Sequence, residues 1–197
     1  MKLLAMSNVF KELLKKVGSG KHTTDNLTRA EAAAATKMML LEEATPTQIG
    51  AFLIAHRIKR PTDEELAGML DAYDELAPKL RAMDRPPMIF GIPYDGRTRT
   101  LPMMAITALV LATAGQSVVM HGGHRLPTKY GFSLVEMWQG LGVDWSVLEL
   151  SKIEEIFERT GMGVVCIPKH FPIIQSLWGY REQIAGNYGV SMVSLWR

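Results

Sequence analysis

The sequence predicts an α/β fold with an N-terminal all-α domain: a small helical bundle, then a mostly parallel sheet flanked by helices, the sheet incomplete. Three observations carry this. Capping boxes and a period near 3.6 recur through the first third of the chain. Pro86-Pro87 then marks a change of regime. From Met88 onward short apolar runs alternate with helical stretches, the pattern of βαβ units. The domains are expected at residues 1–84 and 85–197.

In order, Leu3–Val17 places Leu3, Met6, Phe10, Leu13, Leu14 and Val17 at helical spacing, and Gly18-Ser19-Gly20 ends that helix. Gly20-Lys21 resembles the end of a P-loop, but Lys15 stands where the first glycine belongs and His22 follows the lysine. It reads as an interhelix loop. Thr28-Arg-Ala-Glu31 is a capping box opening a helix to about Glu43, whose small residues (Ala30, Ala32–Ala35) suit internal packing or a dimer seam. Thr45-Pro46 opens a third helix, striped by Ile49, Phe52, Leu53 and Ile58, with His56 at the core edge. Thr62-Asp-Glu-Glu65 opens a fourth, through Leu76.

Met88–Ile92 reads as a buried strand ended by Pro93 and Asp95-Gly96. Met103–Ala114 has helical length and propensity, and Ser117–Met120 is a second strand that stops at His121-Gly122-Gly123. Further helices are expected at 132–141 and, from a capping box at Ser151–Glu154, to Thr160. A strand at Gly163–Ile167, a loop at Pro168–Pro172, a helix at Ile173–Ile184 and an apolar or strand segment at Val190–Trp196 follow. Three or four strands fall short of the five or six typical of such sheets, about what a chain missing its C-terminal part would have.

Composition bounds the function. With 47% hydrophobic and 21% charged residues and a net charge of +2, the 197-residue chain lacks the global basic footprint of a dedicated nucleic-acid binder. The single cysteine, Cys166, excludes internal disulfides and thiolate clusters and suits a buried thiol in a reducing compartment. No apolar stretch is long enough to span a bilayer, so no membrane partner is expected and the location is read as cytoplasmic.

The two strand ends should emerge at one sheet edge, where open α/β sheets bind ligands. Arg97, Arg99 and Arg125 on the two loops are candidate anion-binding residues, joined by His121, His124 and Lys129. Alternatives stand beside each. His121 could contact a ligand or be a turn histidine satisfied by backbone; Asp95 could orient a hydroxyl or serve turn chemistry; the arginines could be solvated loop charges. His124 and His170 offer no metal set. Trp138, Trp145, Trp178 and Trp196 read as packing residues.

With those elements in order, the chain resembles the anthranilate phosphoribosyltransferase family, grouped with the pyrimidine nucleoside phosphorylases. The resemblance lies in the IPxxDG-type loop, VVMHGG, GMGVVCIPKHFP and YREQI, and runs from about Phe10 to Trp196. It implies a helical domain used for homodimerisation, rejoined by the helix near 173–185, and an α/β domain, with phosphoribosyl diphosphate (PRPP) and an aromatic amine meeting between them. It also implies Mg2+, whose Asp-Glu pair lies beyond residue 197, so no metal ligands and no confident catalytic residue are assigned in this chain. Against the family loop GTGGDG, Gly91, Asp95 and Gly96 match, while Pro93 and Tyr94 replace the middle glycines. Pro93 has no N–H to offer a diphosphate and Tyr94 adds bulk. In the second loop His121, Gly122, Lys129 and Gly131 match, but Met120 and Gly123 depart. Arg181 matches an arginine that the family uses near the aromatic carboxylate.

Three functions fit. The resemblance implies a glycosyltransferase moving a phosphoribosyl group from PRPP to an aromatic amine, as in tryptophan biosynthesis. Alternatively it is a catalytically silent member binding nucleic acid through the basic loops, or a dimerising scaffold without ligand chemistry.

Overall fold

A computed structural model describes residues 2–20, 23–81, 86–92, 101–125 and 131–183, with the side chains of 2–7, 181 and 182 left aside. The described residues form two compact units, 2–77 with 173–183, and 78–172.

The first unit contains α1 (Lys2–Gly18), α2 (Arg29–Leu40), α3 (Pro46–Lys59), α4 (Asp63–Leu76) and α9 (Ser176–Gln183). Thr28, Thr45 and Thr62 each cap a helix with a reciprocal box, in which the hydroxyl accepts from the third helical N–H and Glu31, Gln48 or Glu65 accepts from the cap. Each such cap contributes about 1 kcal/mol. α2 ends at Leu40 rather than Glu43, because Glu42 turns to φ 56°. The small residues of α2 serve internal packing: Ala32 and Ala35 are buried, and Gly68 of α4 comes so close that an added Cβ would stand 2.1 Å from the Arg29 carbonyl oxygen. The Arg29–Asp71 pair (2.5 and 2.7 Å) and the Lys37–Glu75 pair (2.5 Å) tie the same two helices from the outside. α1 packs on α3 through Phe10 and Phe52, whose ring centroids are 5.4 Å apart, and α9 rests on α2 and α3.

The second unit is a three-stranded parallel sheet among the described residues, in the order β1 (Met88–Ile92), β2 (Val118–Gly122), β3 (Met162–Cys166). The register pairs Met88 with Val118 and Val118 with Met162. Crossovers are α5 (Met104–Thr113), then α6 (Leu134–Gly140) and α7 (Leu150–Thr160); a short α8 (Ile167–His170) follows β3. Residues of β2 alternate between two cores, as a strand covered on both faces requires. Val118 and Met120 join Ala105, Ala108, Leu134, Trp138 and Trp145, whereas Val119 joins Phe157 and Val165. Trp138 and Trp145 meet edge to face at 5.8 Å, an arrangement worth about 1 kcal/mol beyond its buried area.

Several expected boundaries move. β2 runs on through His121 and Gly122, so both belong to the strand rather than the loop. α6 begins at Leu134, because Ser133 and Glu136 form a capping box. The box expected at Ser151–Glu154 does not form: α7 starts at Leu150, which packs beside Val119, Phe157 and Val165, and this puts Ser151 inside the helix. β3 starts and ends one residue early, and the expected loop at 168–172 holds α8. A 3-10 turn at Pro172–Gln175 occupies the start of the expected helix at 173–184. The segment Val190–Trp196 lies outside the described residues.

Candidate functional site at the strand ends

The parallel strands end together at Ile92, Gly122 and Cys166. This carboxyl edge is the face on which open α/β sheets take ligands. His121 sits one residue short of it, paired with Gly91 on β1 and Val165 on β3. Its side chain is 2% exposed, and its Nδ1 has no hydrogen-bond partner. Burial lowers its pKa from 6.5 to about 4, so at neutral pH it is an uncharged imidazole. It can donate or accept a hydrogen bond, but it does not contribute a cation.

Two glycines make room. A Cβ at Gly91 would lie 3.0 Å from His121 Cε1 and 3.1 Å from Nε2. A Cβ at Gly122 would meet the Ile92 carbonyl oxygen at 2.6 Å and Leu134 Cδ2 at 3.0 Å. Gly122 therefore lets the start of α6 close on the strand ends, and Val135 N–H donates to the Gly123 carbonyl at 3.4 Å.

Arg125 leaves β2 but is not free for an anion. Its Nη2 donates to Glu136 Oε1 at 2.7 Å, and Glu136 is the carboxylate that completes the α6 cap. Burial alone would raise the pKa of Glu136, but bonds from Ser133 and the nearby Arg125 outweigh it and hold the group below the usual carboxylate range. At the β3 end, Lys169 reaches the Val147 carbonyl (2.7 Å) and Glu149 (2.9 Å), and His170 Nε2 lies 3.0 Å from the Leu148 carbonyl. These contacts fasten α8 to the segment before α7. Cys166 is buried, and burial raises its thiol pKa.

The strand ends thus bring together Gly91, His121 and Gly122, with Arg125 tied nearby to Glu136. Asp95, Gly96, Arg97, Arg99 and Lys129, together with Pro93 and Tyr94, lie outside the described residues. Arg181 belongs to α9 in the helical unit. Among the described residues no three His, Cys, Asp or Glu side chains converge to hold a metal ion, and no helix is long and apolar enough to cross a membrane.

The sequence reading missed a polar cluster in the helical unit. Glu65 is fully buried and accepts from Leu27 N–H (2.8 Å), Thr62 N–H (2.7 Å) and Lys59 Nζ (2.7 Å). His56, expected at the core edge, is buried, stacks on Phe52 at 5.4 Å and places Nε2 3.8 Å from Glu65. Local sequence marked Glu65 as a cap residue, but nothing local marked it as a tertiary acceptor.

The helical bundle domain of a glycosyl transferase family matches residues 11–77. Three curated relatives are anthranilate phosphoribosyltransferases. That of Natronomonas pharaonis is 31% identical over 88% of this chain and 50% of its own length. That of Haloarcula marismortui is 31% identical over 88% and 50%. That of Anaeromyxobacter sp. (strain K) is 33% identical over 81% and 47%. Over most of its length the chain is thus similar to anthranilate phosphoribosyltransferases. The fold agrees: the Thermus thermophilus enzyme superposes with a TM-score of 0.75 at 22% identity, over 90% of this chain and 51% of its own. The Saccharomyces cerevisiae enzyme in complex with PRPP and Mg does so with a TM-score of 0.73 at 18% identity, over 92% and 53%. The chain spans about half the length of the relatives it matches.

Proposed function

We propose that the protein transfers a phosphoribosyl group from PRPP to an aromatic amine, with the ends of β1 and β2 binding the phosphoribosyl donor. The observation that carries this is the buried, uncharged His121 seated over Gly91 at the ligand-binding edge, in a chain whose curated relatives are anthranilate phosphoribosyltransferases. In the reaction the amine lone pair forms the new N–C1 bond while the C1–O bond to diphosphate breaks. The departing diphosphate keeps the bonding electrons, and the amine proton passes to solvent. An uncharged imidazole contributes orientation, through one donor and one acceptor, and such positioning lowers the barrier without adding charge. The diphosphate charge falls to Asp95-Gly96 backbone, Lys129, Arg97 and Arg99, since Arg125 is held by Glu136. Mg accompanies PRPP in the yeast relative; the described residues supply no converging ligands for it, and no step is assigned to it.

The test is a fluorescence assay of anthranilate consumption with PRPP and Mg2+, paired with calorimetric titration of PRPP. Turnover, or PRPP binding that His121→Ala weakens at least tenfold, is the expected result. No binding at millimolar PRPP would overturn the reading.

The nucleic-acid alternative rests on four loop cations, of which Arg125 is held by Glu136 and the other three lie outside the described residues. Homodimerisation through the helical unit has better support. A groove of about 940 Å³ between α1 and α3 is lined by Val17, Gly50, Ala51, Ile54 and Ile58, and Ile58 is largely exposed. Light scattering on the purified chain, with Ile58→Asp as the disrupting variant, tests it.

A further inference from the structure

One cation at the strand ends has a partner that a ligand could replace. Arg125 follows the end of β2 at Gly122, on the edge where Gly91, His121 and Gly122 meet. Its Nη2 donates to Glu136 Oε1 at 2.7 Å. The Arg125 side chain is 46% exposed and that of Glu136 33%, so the pair is open to water. Ion pairs of that exposure hold weakly. Glu136 divides its two oxygens between two tasks. Oε2 accepts from Ser133 N–H at 2.8 Å and completes the α6 cap, while Oε1 serves Arg125. Arg125 can therefore leave without uncapping the helix or stranding the carboxylate. The bond from Val135 N–H to the Gly123 carbonyl, 3.4 Å, joins the two sides of the same loop and does not depend on the ion pair.

A guanidinium binds carboxylate and phosphate through the same fork of N–H donors, so a carboxylate that holds an arginine occupies a phosphate position. PRPP carries two anionic groups, and the residues assigned to its diphosphate leave the ribose 5-phosphate without a cation. We propose that Glu136 is an internal placeholder for that phosphate. Arg125 rests on Glu136 Oε1 and exchanges it for the 5-phosphate when the donor arrives, while Oε2 keeps α6 capped. This assignment takes its ligand from the transferase reading. The exchange favours a phosphate monoester, which carries about two negative charges at neutral pH against the single charge of Glu136. A ligand carboxylate gains nothing by displacing a carboxylate already in place. Glu136 thus makes the Arg125 position selective for phosphate, a discrimination that an unpaired arginine would lack.

The test is calorimetric titration of the 197-residue chain with ribose 5-phosphate, with inorganic diphosphate as the second probe. Arg125→Met should weaken ribose 5-phosphate at least about tenfold and leave diphosphate within about twofold. Glu136→Gln keeps the cap, since glutamine serves the same position in a capping box, and removes the competing charge. It should tighten ribose 5-phosphate about threefold, and in an Arg125→Met background it should change nothing. The proposal is overturned if ribose 5-phosphate fails to bind at millimolar concentration, or if Arg125→Met weakens both probes alike. It is also overturned if Glu136→Gln weakens ribose 5-phosphate or leaves it unchanged; weakening would make Glu136 a staple that presets Arg125. A single-stranded oligonucleotide whose affinity falls further than that of ribose 5-phosphate in Arg125→Met overturns it too, by assigning the cation to phosphodiesters. Should Glu136→Gln fail to fold by circular dichroism, the contrast between the two probes in Arg125→Met decides alone. Ribose 5-phosphate lacks the leaving group, so its binding is read apart from transfer. Turnover of PRPP without Arg125-dependent binding of ribose 5-phosphate sinks this proposal and leaves the transferase reading. Arg125-dependent binding without turnover supports this proposal and counts against the transferase reading alone.

Discussion

Gly91 and His121 are partners across β1 and β2, and the imidazole occupies the space a side chain at residue 91 would need. In the proposed reading Gly91 opens the diphosphate loop; the structure gives it a second duty, to seat the histidine of the neighbouring strand. Flexibility for the loop and room for the ring are separate demands that both exclude a Cβ.

Gly91→Ala tests the second demand. Its Cβ would stand 3.0 Å from His121 Cε1, tighter than ordinary contact, so the ring must shift by a few tenths of an ångström. Overpacking of this kind costs about 1 kcal/mol. Urea unfolding should show that loss, and calorimetry should show PRPP affinity reduced about tenfold. An unchanged affinity would detach His121 from the ligand.

His121 also predicts a pH dependence. Its folded pKa of about 4 lies below its ordinary 6.5, so the unfolded chain takes up the proton first as pH falls. Stability from this group is complete above pH 6.5, declines between 6.5 and 4, and is level below. The full difference is on the order of 3 kcal/mol. His121→Gln should flatten the decline in unfolding free energy between about pH 7 and pH 4.5. Should that variant fail to fold, NMR titration of the native imidazole gives the same answer, and a midpoint near 6.5 would sink the prediction.

What the sequence could and could not disclose follows from the range of each interaction. Thr28, Thr45 and Thr62 were legible because a capping box closes within three residues. The βαβ order was legible because apolar runs and helical runs differ in period. The Ser133–Glu136 box was equally local, and its S-x-x-E spacing could have been read. The seat of His121 was not legible, since it depends on register with a strand 30 residues away, as Gly91 pairs with 121. Likewise Arg125 read as a free cation because its partner, Glu136, is 11 residues on and already committed to a cap. Pro93 and Tyr94, on which the loop reading turned, lie outside the described residues.

The α2–α4 contact should discriminate between glycines. Gly68→Ala places a Cβ 2.1 Å from the Arg29 carbonyl oxygen, a backbone atom that moves only if the two helices separate. About 3 kcal/mol or more should be lost, near the upper end of overpacking costs. Gly179, in α9, has nothing within 4 Å of the same added atom. There, Gly179→Ala should gain about 0.5 kcal/mol by restricting the unfolded chain. Thermal unfolding of both variants checks the pair, and equal effects would contradict it.

Glu65 should be the most sensitive single charge in the helical unit. Leu27, 38 residues away in sequence, together with Thr62 and Lys59 all donate to a carboxylate with no exposed surface. Glu65→Ala leaves two backbone donors without that acceptor and leaves the Lys59 ammonium, whose side chain is itself nearly buried, with only the neutral acceptors Asn26 Oδ1 and the Arg60 carbonyl. Breaking a buried pair from one side costs about 3–5 kcal/mol. Burial alone would raise the Glu65 pKa, but the Lys59, Thr62 and Leu27 bonds outweigh it and hold it below the ordinary carboxylate value. Its contribution is therefore present above pH 4.5 and lost as pH falls through the lowered folded value. Lys59→Met removes the largest of the opposing bonds, so the folded pKa of Glu65 rises and the loss on acidification should shrink. Urea unfolding of the native protein and Lys59→Met at about pH 7 and pH 5 should give a gap that narrows at the lower pH. A constant gap would mean that the backbone donors, not the lysine, set the charge of Glu65.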